Sequence, residues 1–142
     1  MHQYIPLLAA TFLVPASLLI DTPSLVAHQP LAAEDVKVTV HLVPDDSPYA
    51  GQPSLTWFHL MRADGKTVPL SDCNCNLTVY DSQNQVIARP QLAETAVEGH
   101  EQPMGTNITF PNAGKYELVF AGGSNSAAFK SFELKVPVTV RP

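Results

Sequence analysis

Short alternating runs, each closed by a turn signal, fill the chain from Val36 to its end, and this punctuation most limits what it can fold into. Residues 36–43 set apolar Val36, Val38, Val40 and Leu42 against Lys37, Thr39 and His41, the period of two of a half-buried strand. Pro44-Asp45-Asp46-Ser47-Pro48 ends that run. The same reading predicts strands over 54–62, 74–80, 85–88, 91–98, 106–110, 115–121 and 129–140, with 67–70 as a short continuation of the second. Ala63-Asp64-Gly65-Lys66 reads as a hairpin turn, and Gly122-Gly123-Ser124-Asn125 as the stop to the run before it. No window carries the 3.6-residue period of an amphipathic helix. The class is all-β, with seven or eight strands, and a two-sheet sandwich is the expected architecture.

Pro111-Asn112-Ala113-Gly114-Lys115-Tyr116-Glu117-Leu118 sharpens this to an immunoglobulin-like sandwich. The segment has the form of a tyrosine corner, in which a Tyr early in a strand returns its hydroxyl to the backbone of the preceding turn. Leu118 stands where antibody domains carry a cysteine, so the core there is expected to be apolar.

The 142 residues are 45% hydrophobic, enough for a core, and only 15% charged, against roughly 25% in a typical soluble domain. The net charge of −5, with no cluster of Lys or Arg, argues against nucleic acid as a partner. No Lys or Arg precedes Lys37. The apolar run over 5–20, broken by Pro6, Thr11, Pro15 and Ser17, is shorter than the ~20 residues a transmembrane helix needs. A signal peptide over 1–27 fits it, with a buried N-terminal helix as the competing reading. Cleavage after Ala27 would leave His28 as the new N-terminus, and cleavage after Ala33 competes. The expected layout is a signal peptide over 1–27, an N-terminal arm over 28–35 and the sandwich over 36–142. The mature protein would be exported, periplasmic or extracellular, without a transmembrane span.

Cys73-Asn74-Cys75 is the most specific local feature. In an extended strand Cα atoms two residues apart lie ~6.6 Å from one another with parallel side chains, and that geometry alone does not close a disulfide. Three readings stay open: two thiolates gripping a soft metal, Cu(I) before Zn(II); a disulfide over a bent backbone at Asn74; or two small apolar residues packed in the core. Trp57, His59 and Met61 share one strand face and Phe58 and Leu60 the other. With Phe58 and Leu60 inward, the Trp-His-Met stripe points out, as a partner-binding patch or part of a metal site; with the faces reversed, His59 is a core residue. His41 and His100 are weaker ligand candidates. Asp45, Asp46 and Asp72 lack the spacing of a calcium loop and read as solvated turn acids. No Gly-x-Ser-x-Gly, His-Glu-x-x-His or phosphate-binding glycine loop occurs, so a binding protein rather than an enzyme is expected.

Ala50-Gly51-Gln52-Pro53, the alternating run after it, Asp64-Gly65-Lys66 and Gly114-Lys115-Tyr116 together resemble the YtkA-like family and its CopC-like copper-resistance relatives, small exported immunoglobulin-like domains. Leu70-Ser71-Asp72-Cys73-Asn74-Cys75 resembles a set of exported cyanobacterial proteins. The resemblance covers roughly residues 36–141. It implies periplasmic copper handling, with an N-terminal histidine among the ligands, which maps onto His28. The candidate metal ligands are therefore Cys73, Cys75, His59, Met61 and His28, with Cu(I) as the ion. The other reading is a structural or assembly module that binds a periplasmic or membrane protein through the Trp57 face and a sheet edge, without metal.

Overall fold

A computed structural model describes residues 30–142. The signal peptide expected over 1–27, and His28, lie outside the described residues. In chain order the strands are β1 (Leu31–Ala33), β2 (Val36–Leu42), β3 (Pro53–Arg62), β4 (Cys73–Tyr80), β5 (Val86–Ala88), β6 (Ala93–Glu94), β7 (Met104–Thr109), β8 (Gly114–Ser124) and β9 (Phe132–Val140). They form two antiparallel sheets, ordered β1-β2-β3-β7-β6 and β5-β4-β8-β9. The chain is thus an all-β two-sheet sandwich. Among the described residues no helix is long and apolar enough to cross a membrane.

The period of two decides what meets in the middle. Val36, Val38, Val40 and Leu42 of β2 and Phe58 and Leu60 of β3 face the core. Leu77 and Val79 of β4, Leu118 and Phe120 of β8, and Phe132, Leu134, Val138 and Val140 of β9 fill it from the other sheet. Phe58 stacks on Phe120 with ring centroids 4.2 Å apart, which ties the sheets together at their centre. Burying a Phe side chain of this kind contributes about 1.5–3 kcal/mol.

The tyrosine corner is present. The Tyr116 hydroxyl donates to the Asn112 carbonyl at 2.9 Å and accepts from the Asn112 N–H at 3.3 Å. The hairpin after β3 closes as expected, with Gly65 at φ +82° and the Arg62 N–H donating to the Lys66 carbonyl at 2.9 Å. The Asp64 carboxylate pairs with the Arg62 guanidinium and accepts from the Lys66 N–H, and these partners hold its pKa down to about 2.

Four expectations are corrected. Residues 67–70 do not form a strand: Thr67 makes an isolated bridge to Met61, and Leu70–Asp72 is a single 3-10 turn that leads into β4. The strand expected over 91–98 shrinks to Ala93–Glu94, and the chain then turns, with Val97 bridged to His100. Gly122-Gly123 does not stop β8, which runs on to Ser124. The segment expected as an N-terminal arm over 28–35 contributes β1, paired with β2 from Leu31↔Val38 to Ala33↔Val36.

Candidate functional site

The outer face of the five-stranded sheet gathers the imidazoles. With Phe58 and Leu60 inward, Trp57, His59 and Met61 point away from the core, as one of the two sequence readings had it. The register sets His41 of β2 opposite Trp57, Thr39 opposite His59 and Lys37 opposite Met61. On the other side Trp57 lies opposite Gly105 of β7. A Cβ at Gly105 would sit 2.9 Å from the Thr56 carbonyl oxygen and 3.1 Å from Trp57 Cβ, so glycine is what lets this part of the sheet pack closely.

The loop between β6 and β7 then folds back over the stripe. It turns at Gly99, φ +77°, and His100 bridges to Val97. This brings the His100 ring to 4.7 Å from Trp57 and 5.4 Å from His59, centroid to centroid. His41 covers Trp57 from the other strand at 4.6 Å, and its Nδ1 lies 3.2 Å from the Asp46 carboxylate. Trp57 is consequently only 6% exposed although it faces outward. Its ring is covered by the His41 and His100 rings.

His59 is the best-defined group of the four. Its Nε2 lies 3.1 Å from the Thr67 hydroxyl. With the proton on Nε2 donated to Thr67, Nδ1 presents a lone pair, the arrangement in which a neighbouring hydrogen bond orients a metal-binding histidine. Burial pushes the His59 pKa below 6.5; the nearby His100 lowers it further, and Glu101 opposes them. The shift favours the neutral form of His59, the form that binds a metal.

Two imidazoles on one ion, each with its nitrogen at about 2.0–2.1 Å, place their ring centroids roughly 5–6 Å apart. The 5.4 Å between His59 and His100 falls in that range. Among the described residues no group of three or more His, Cys, Asp or Glu is gathered to hold a metal. The face offers a pair of imidazoles, His59 and His100. Met61 lies two residues from His59 on the same strand face.

Cys73 and Cys75 lie elsewhere. They belong to β4 in the other sheet, on its core-facing side with Leu77 and Val79. The structure does not bring them together with the outward-facing His59 and Met61. The two cysteines are joined as a disulfide with Cα atoms 5.1 Å apart. The flat-strand spacing of the sequence reading is thus shortened, from the upper end of the Cα separations that disulfides span to their middle. The ladder to β8 survives this contraction, with Cys73↔Ser124, Asn74↔Gly123 and Cys75↔Gly122 all paired. Gly122 makes room for the bridge: a Cβ there would stand 2.6 Å from Cys75 Sγ and 3.0 Å from Cys73 Sγ.

The bridge spans three residues, so in the chain-entropy picture it stabilises by about 1.6 kcal/mol, against about 4.7 for a 100-residue loop. Cys73 is buried and Cys75 half-buried. Asp72, just before the pair, is no free anion. It accepts from the Ser126 N–H and hydroxyl, each at 2.9 Å, and thereby ties the start of β4 to the loop after β8.

Two of these features escaped the sequence reading. His100 sits in a loop, and nothing in its spacing shows that the loop returns to β3. The signal for the sulfur cradle was present in Gly122-Gly123, since glycine inside a strand marks close approach by another group as well as a stop.

No protein-family model matches the chain, and no curated protein matches it.

Proposed function

We propose that this protein is an exported metal-handling domain that captures a soft ion, Cu(I) first, on the outer face of its five-stranded sheet. His59 and His100 are the imidazole ligands and Met61 the thioether, with His41 and Trp57 walling the site. The observation that carries the reading is the 5.4 Å between the two rings, with His59 oriented by Thr67. Two imidazoles and a thioether suit Cu(I) better than a hard cation. Capture and release of the ion, without covalent chemistry, is the whole of this activity. The apolar run over 5–20 supports export, and a disulfide fits an oxidising compartment. The resemblance to CopC-like domains points toward copper as well. Cys73 and Cys75 are removed from the proposed ligand set, because thiolate ligation would first require reduction of their bridge.

The sole tryptophan of the chain is a built-in reporter. Full-length protein is titrated anaerobically with Cu(I) in ascorbate against a competing chelator, and Trp57 emission is followed. One equivalent of Cu(I) should change the emission and withstand the chelator, and His59→Ala and His100→Ala should each weaken binding by at least about tenfold. Unchanged affinity in both variants would refute the assignment.

A further inference from the structure

We propose that the Cys73–Cys75 disulfide is a thiol–disulfide exchange site that oxidises cysteine pairs in extended polypeptide segments. It lies apart from the imidazole site and does not depend on it.

A cleft of about 510 Å³ opens beside β4, with Cys75, Asn76, Leu77 and Thr78 on one wall and Arg89 and Leu92 on the other. Cys73 is not among the residues that line it. Disulfide exchange is an in-line displacement, so the attacking sulfur must approach Cys75 from the side away from Cys73. The cleft is bordered by Cys75 and the residues that follow it, and by Leu70, so Cys75 and not Cys73 is the cysteine an attacker from the cleft meets. Arg89 contributes a positive charge to the wall, which favours an incoming thiolate. Burial of Cys73 makes it the leaving sulfur and not the attacked one.

The substrate class follows from the edge of the sheet. β5 pairs with β4 only at Val79 and Tyr80, so the ladder from β5 stops short of Cys75. The strand edge beside the cleft suits main-chain pairing with an added extended segment. A bridge over three residues adds little to stability, so its opening costs the fold little.

The step balances as follows. A substrate thiolate attacks Cys75 Sγ; a mixed disulfide forms, the Cys73–Cys75 bond breaks, and its electron pair leaves on Cys73 Sγ, which takes a proton from water. The second thiolate of the substrate attacks the substrate sulfur of the mixed disulfide and expels Cys75, which is protonated in turn. The substrate loses two electrons and becomes a disulfide; the protein gains them as two thiols. A disulfide of higher reduction potential restores the pair.

The test uses the full chain with a metal chelator present and a reduced synthetic peptide carrying two cysteines as probe. Mass spectrometry should show about one equivalent of peptide oxidised per protein, with two thiols appearing on the protein. In single variants mixed with the oxidised peptide, Cys73→Ser should form a mixed disulfide through Cys75, and Cys75→Ser should do so at Cys73 about tenfold more slowly. Should either variant fail to fold, the wild-type stoichiometry decides alone. Peptide oxidation no faster than in buffer, faster capture at Cys73, or two free thiols in the purified protein would each overturn the proposal.

Discussion

His59 and Gly122 show how single residues set the two sites. His59 has a folded pKa below 6.5, so between the two values the unfolded chain binds the proton that the folded chain refuses. Its contribution to stability is therefore full above pH 6.5 and is lost as pH falls through the folded value. A histidine NMR titration should place the His59 midpoint below 6.5, and His100→Gln should move it up by removing the coulombic influence of His100. A midpoint that ignores His100 would contradict the packing described. At Gly122 a methyl group would meet both sulfurs, so Gly122→Ala should cost about 1–3 kcal/mol by overpacking. Urea unfolding measures this, and the penalty should shrink when Cys73 and Cys75 are both serine.

The turns carry their own chemistry at the scale of elements. The hairpin after β3 holds Asp64 with a guanidinium and a backbone N–H, and its depressed pKa means that this carboxylate stays charged until about pH 2. Its contribution is present above the unfolded value of 3.8 and lost as pH falls through about 2. An NMR titration of Asp64 should find that midpoint, and Arg62→Gln should raise it toward 3.8. The corner before β8 depends on one hydroxyl. Tyr116→Phe leaves the ring on Phe110 but removes the bonds to Asn112, and should cost about 0.5–1.5 kcal/mol in chemical denaturation. An unchanged midpoint would mean that the corner is decorative.

For the whole molecule, the central contact is Phe58 on Phe120. Phe58→Ala should cost about 3–5 kcal/mol, the price of a cavity between two sheets that cannot close over it. That architecture was legible in the sequence because alternation is local: the faces of β2 follow from the order of Val, Lys, Thr, His and Leu, whereas in β3 alternation separated two apolar faces without saying which was inward. Tyr116 was legible because the corner is built within five residues. The candidate site was legible only in part. His59 and Met61 could be assigned to one face, but their third neighbour, His100, arrives through a loop whose path is set by tertiary packing. The separation of the cysteines from that stripe was equally hidden, since it depends on which strands share a sheet. The closure of Cys73-Asn74-Cys75 depended on the empty space at Gly122, a residue 47 positions beyond Cys75.

Copper-edge X-ray absorption on the Cu(I)-loaded full-length protein tests the metal assignment most directly. Two imidazole nitrogens at about 2.0 Å and one sulfur at about 2.3 Å are expected, with the imidazole signature reduced by His100→Ala. A shell of two sulfurs that vanishes when Cys73 and Cys75 are replaced by serine would contradict it and return the ion to the cysteines.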